Sequence, residues 1–185
     1  MPAPDGEAMT GVARFSRTRQ VLEPAFLEGI SDLSLEEVRR RRAMALAERE
    51  FLSFLRRLVQ VRRDALTAES QRRATGSAPP PLLEELQRVL SQGPPRARVR
   101  GEAVRVVLPA EDVEEAERRA DEMVGRLIVD DPRALEDEHL AEAIEVLARG
   151  EREVSGDRSA VMRVHDSLQD ELKHRYREDP SRALS

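Results

Sequence analysis

From Leu35 to Arg73 the sequence holds neither glycine nor proline. A stretch of that length built mainly from Arg, Ala, Leu and Glu has one low-energy regular form, a single long helix, because these residues lose little on entering it. The run Ser34-Leu35-Glu36-Glu37 supplies its start as a capping box, in which the serine hydroxyl accepts the N3 amide and the glutamate reaches back to the N-cap amide. Its end is equally marked: Ala74-Thr75-Gly76-Ser77-Ala78-Pro79-Pro80-Pro81 stops a helix and forbids its continuation. At about 1.5 Å per residue the predicted helix is ~58 Å long, so the rest of the chain must be arranged along a rod.

A second rod is expected near the C-terminus. Asp130-Asp131-Pro132 reads as a cap followed by an N1 proline, opening a helix over 133–177. Gly150 and Gly156 lie inside it, each costing about 1 kcal/mol relative to Ala, and predict a kink near the middle. Shorter elements lie between. Leu82 to Leu90 and Ala110 to Ile128 have helical periodicity, whereas Val104 to Leu108 alternates weakly like a strand. Residues 1–30 show no sustained period and read as a flexible N-terminal arm with one short helical piece at its end, and 179–185 as a tail. The expected fold is therefore all-α: an antiparallel long-helix hairpin, or coiled coil, with shorter accessory helices, filling 31–178 as one domain.

Composition narrows function. Aromatics are only 3% of the 185 residues, so a deep aromatic-lined substrate pocket is hard to build. The absence of Cys removes disulfides, thiolate metal sites and cysteine nucleophiles. With no long apolar run and no basic-then-apolar start, the chain reads as cytoplasmic, without membrane contact. The net charge of −5 argues against direct binding to DNA phosphates, even though all but one of the 31 basic residues are Arg. Charge is unevenly spread: 34–73 holds 11 Arg against 6 acids, while 110–147 holds 4 Arg against 14 acids. Two Glu-x-x-His pairs, Glu136 with His139 and Glu171 with His174, copy a di-iron bundle motif. Placed on one helix some 35 residues apart, they stand ~52 Å from each other and cannot share a metal.

The informative residues are polar. Ser53, Arg56, Gln60 and Asp64 are spaced three, four and four apart, which keeps them within roughly 80° of arc on one helix face. The last helix repeats the stripe as Glu151, Ser155, Arg158 and Asp166, with Met162 in the place of Gln60. A constant offset of 102 relates 53 to 155, 56 to 158 and 64 to 166, and also Val59 to Val161 and Leu66 to Leu168. This is the mark of an internal duplication. A solvated face, or a polar seam that fixes coiled-coil register, would need no ligand. The chemistry of the residues suits one, however. An Arg fork pairs with a phosphate or with guanine O6 and N7, and an Asp carboxylate accepts from a guanine N1 and N2 edge. A cyclic dinucleotide offers such groups in twofold arrangement.

The stripe resembles the Glu-x3-Ser-x2-Arg-x3-Gln-x3-Asp signature of the RsiG family, cyclic di-GMP-dependent anti-sigma factors of Streptomyces and related actinobacteria. The second copy reads Glu151, Ser155, Arg158, Met162, Asp166 and the first Arg49, Ser53, Arg56, Gln60, Asp64, so Arg49 and Met162 depart from the pattern. The entry Asp32-Leu33-Ser34-Leu35-Glu36-Glu37 is also similar. The resemblance implies a non-enzymatic protein that binds cyclic di-GMP, as a dimer, between two antiparallel helices, and in that form sequesters a sporulation sigma factor of the WhiG type. It implies Ser53, Arg56, Gln60, Asp64, Glu151, Ser155, Arg158 and Asp166 as the nucleotide-binding residues. The rival expectation is a ligand-independent coiled-coil adaptor, which would share the fold.

Overall fold

The computed structural model describes residues 17–76, 108–124 and 132–179. Three helices carry these parts: α1 (Leu35–Thr75), α2 (Ala110–Val124) and α3 (Asp137–Glu178). Two 3-10 turns, Pro24–Phe26 and Pro132–Ala134, precede α1 and α3, and residues 17–22 are helical. There is no strand among the described residues. The expected helix at 82–90 and most of the expected strand lie outside them, as do the last residues of the helix expected to reach Ile128.

α1 begins and ends as the sequence predicts. Ser34 is extended and its Oγ accepts the Glu37 amide at 3.1 Å, while Gly76 closes the far end at φ +61°, a left-handed conformation that suits glycine. Only half of the capping box forms, because the Glu37 carboxylate turns forward to Arg40 and Arg41 instead of back to the N-cap. Those guanidiniums hold it at about 2, well below the ordinary carboxylate value. Glu69 is held at about 2 by the same device, through Arg72 and Arg73 in the last turn.

α1 and α3 pack antiparallel along their lengths. Arg73 reaches Asp137 at one end and Arg39 donates to the Tyr176 hydroxyl at the other. Leu52, Leu55, Val59 and Leu66 meet Leu147, Val154, Val161 and Leu168 in a seam closed to solvent. Both apolar pairs related by the 102-residue offset, Val59 with Val161 and Leu66 with Leu168, are buried. At 41 and 42 residues the helices are each ~60 Å long.

Three expectations are corrected. α3 starts at Asp137 rather than 133: Pro132 opens a separate 3-10 turn, and Glu136 is the extended N-cap, with no side-chain capping bond. The helix then runs unbroken through Gly150 and Gly156, with no interruption at either. Gly150 instead permits a close approach of α2, since a Cβ there would stand 2.8 Å from Met123 Sδ. Finally, order begins before residue 31. Val21 and Phe26 are buried, Thr18 donates to the buried Glu48, and Arg41 donates to the Phe26 carbonyl at 2.6 Å. Arg175 of α3 clamps the following turn, donating to the carbonyls of Ile30, Ser31 and Leu33.

α2 and residues 17–22 cover one side of the hairpin. The buried face of α2 is largely charged, with Asp112 and Glu115 beside Ala116 and Ala120. It meets cations, Arg17 reaching Asp112 and Arg62 reaching Asp121, and its own Arg119 lies over the Phe51 ring of α1 at 5.6 Å. Burial lowers the Arg119 pKa and raises that of Asp157 on α3. The acidic surplus noted at 110–147 is thus used partly within the molecule, against the arginine-rich first half.

Candidate functional site

The register of the hairpin decides which stripe residues meet. Gln60 Nε2 donates to Glu151 Oε1 at 2.5 Å, Arg158 Nε to Ser53 Oγ at 2.9 Å, and Arg42 Nε to Gln169 Oε1. Seven residues back along α1, from Gln60 to Ser53, therefore match seven forward along α3, from Glu151 to Arg158, and eleven more lead to Arg42 and Gln169. This register and the 102-residue offset together describe a local pseudo-twofold axis normal to the hairpin, midway between the Ser53–Arg158 and Arg56–Ser155 levels. Both copies of the stripe lie on one face. At about 100° per residue they point well away from Phe51, Arg62 and Gly150, the positions facing α2.

From that register, Arg56 and Arg158 stand close to the axis, ~5 Å apart in level along the hairpin, whereas Asp64 and Asp166 stand at the two ends, ~28 Å apart. The two Asp carboxylates are open to solvent, with side-chain exposures of 71% and 66%. Each keeps to its own helix: Asp64 is 3.3 Å from Arg63 and Asp166 is 3.2 Å from His165. Ser53 also donates to the Arg49 carbonyl at 2.7 Å, and the Ser155 carbonyl accepts the Ser159 hydroxyl. The face thus presents two central guanidiniums flanked by hydroxyls, with a carboxylate at either end.

Glu151 is the hub of one half. Its side chain is only 13% exposed, accepts from Gln60 and Arg63, and lies 3.8 Å from Arg56. Arg63 was not among the residues singled out from the spacing. Extending the 102-residue offset by one position would have found it, paired with His165. Arg49, at the position equivalent to Glu151, makes its ion pair with the adjacent Glu50 at 2.6 Å. Four residues before Ser53, it stands on the level of Met162, four after Arg158, so the two departures from the motif face each other across the hairpin.

The Glu-x-x-His pairs do not converge. Glu136 and His139 sit at the start of α3, Glu171 and His174 near its end, and no group of three or more potential ligands forms among the described residues. No helix among these residues is long and apolar enough to cross a membrane.

Fold and face together define a class of helical protein: an antiparallel hairpin with a duplicated polar stripe on the side that no other described helix covers. Residues 24–90 match the model of the RsiG-like family, and over this stretch the chain is similar to that family. The family is one of regulatory anti-sigma factors rather than enzymes, which suggests an anti-sigma role and a sigma factor as partner. The matched stretch contains α1 with the first copy of the stripe, and the second copy lies beyond it. No curated protein matches the chain.

Proposed function

We propose that this chain is a cyclic di-GMP-responsive anti-sigma factor, and that the liganded form sequesters a sporulation sigma factor of the WhiG type. The observation that carries the reading is the twofold arrangement of the stripe: Arg56 and Arg158 near the axis, Ser53 and Ser155 beside them, Asp64 and Asp166 at the ends, all on the face that α2 leaves open. The central guanidiniums suit phosphates or guanine O6 and N7, and the outer carboxylates suit guanine N1 and N2. A spread of ~28 Å between the carboxylates favours more than one copy of the dinucleotide. Ligand and sigma factor are then reciprocally coupled: each strengthens binding of the other only as far as it favours the joint complex.

Calorimetric titration of cyclic di-GMP into the chain, alone and mixed with a WhiG-type sigma factor, tests this, with cyclic di-AMP as control. Guanine-specific binding that tightens with the sigma factor and is lost in Asp64→Ala or Asp166→Ala is expected. Unchanged affinity in both Arg56→Ala and Arg158→Ala would count against it. A second reading has an observation of its own. The bonds from Gln60 and Arg63 to Glu151 join the two helices, as a register device in a ligand-independent adaptor would. Absence of heat in every mixture, with sigma binding retained in the stripe variants, favours that adaptor.

A further inference from the structure

The two halves of the stripe face are related by register yet differ in charge. Around Glu151 stand Arg56, Gln60, Arg63 and Asp64, two cations against two carboxylates. Their equivalents 102 residues away are Arg49, Arg158, Met162, His165 and Asp166. In this second half the hub acid has become a cation, the amide a thioether and the second cation an imidazole. Leaving the imidazole aside, two guanidiniums accompany the single carboxylate of Asp166, which is largely solvated.

Two further observations point the same way. His165 is 8% exposed, and its Nε2 is buried with no hydrogen-bond partner among the described residues. Its Nδ1 is 3.2 Å from Asp166 Oδ1, so the nearest acid is already engaged. Arg49 meanwhile is held by its sequence neighbour Glu50 on the helix surface, a partly exposed pair of a kind that contributes little. An incoming anion can draw the guanidinium inward at small cost.

We infer that Arg49, together with Arg158, forms a phosphate seat, so that the two halves read different parts of the ligand: the Glu151 half a base edge, the Arg49 half a phosphodiester. This rests on the nucleotide-binding reading above. Arg49 is then a specificity-determining residue of this chain, and the paired change at Met162 follows, since an amide opposite Arg49 no longer has an acid to bind.

The test is titration of cyclic di-GMP into the wild-type chain, Arg49→Gln, Arg49→Lys and Gln60→Ala, each at several salt concentrations between ~50 and ~200 mM, with and without the sigma factor. Far-UV circular dichroism confirms that each variant keeps its helices. Arg49→Gln is expected to weaken binding about tenfold and to lower the slope of log affinity against log salt by about one, as loss of one phosphate contact does. Arg49→Lys should keep the wild-type slope, and Gln60→Ala should weaken binding with the slope unchanged. Arg49→Gln with wild-type affinity, or with weakened binding at an unaltered slope, overturns the phosphate assignment while leaving the nucleotide reading intact. A wild-type chain that takes up no cyclic di-GMP in either mixture refutes the nucleotide reading, and this assignment with it.

Discussion

Gly150 and Gly156 lie about one and two-thirds turns apart in the same helix, and the structure gives different predictions for them. A Cβ at Gly156 would meet nothing within 4 Å, so Gly156→Ala should gain the full difference in helix propensity, about 1 kcal/mol. For a chain of this size that raises the melting temperature by roughly 2–4 °C. A Cβ at Gly150 would stand 2.8 Å from Met123 Sδ, closer than packed atoms allow, and in ordinary contact, 3.6 Å, with its Cγ. Gly150→Ala must displace the Met123 thioether, the flexible end of that side chain, at a cost near the lower bound of overpacking, about 1 kcal/mol, that cancels the propensity gain. In a Met123→Ala background the obstacle is gone and the gain of about 1 kcal/mol should reappear. A double-mutant cycle read by thermal melting at 222 nm measures the coupling, expected at ~1 kcal/mol between positions 123 and 150. If Gly150→Ala stabilises the wild-type chain as much as Gly156→Ala does, Met123 does not press on Gly150 in solution as described.

Other outcomes follow from the same packing. Leu55→Ala, at a fully buried seam position, should cost about 2–5 kcal/mol in denaturant unfolding, whereas Val61→Ala, 61% exposed, should stay within about 0.5 kcal/mol of wild type. Ser34→Ala removes the hydroxyl that accepts the Glu37 amide and should cost about 1 kcal/mol by the same assay. Glu69, held at about 2 in the folded chain against an ordinary 4.5, contributes stability that is present above the ordinary carboxylate value and is lost as pH falls toward 2. Glu69→Gln should therefore flatten the stability profile over that acid range and leave its shape near neutrality unaltered, measured by melts in a pH series.

The parts of this molecule legible in its sequence are those fixed locally. Ser34 and Gly76 mark α1 because a cap and a left-handed stop act on their own few residues. The stripe and its 102-residue repeat are legible because helical periodicity turns spacing into a face. What stayed hidden depends on neighbours distant in sequence. Val21 and Phe26 carry no periodic signal, and their segment is fixed by hydrogen bonds to Glu48 and from Arg41 and Arg175. Gly150 reads as a helix defect until Met123 is placed beside it. Glu151 is picked out by the stripe, but its part in joining the two helices is hidden until the register brings Gln60 and Arg63 to it. The opening of α3 is not legible locally because Pro132 suits the first turn of any helix, 3-10 or α, and local sequence does not say which follows.

The antiparallel arrangement is what gives a duplicated helix one shared functional face. Two copies packed in parallel would be related by an axis running along the helices, and a stripe on the flank of one would appear on the opposite side of the other. Antiparallel packing places the axis normal to the pair and brings both stripes to the same side. The connection between the copies need not be long to achieve this, since Arg73 near the end of α1 already reaches Asp137 at the start of α3. A turn of a few residues would close such a hairpin. The intervening segment instead supplies α2, which lies across the back against Phe51, Arg62 and Gly150. By covering the back, α2 removes the alternative docking side and leaves the Arg56 and Arg158 side as the long face uncovered by any other described helix. A ligand bridging both helices on that face is bound only while the hairpin register is intact, so its binding must stabilise the register in turn, whatever the order in which ligand and partner arrive.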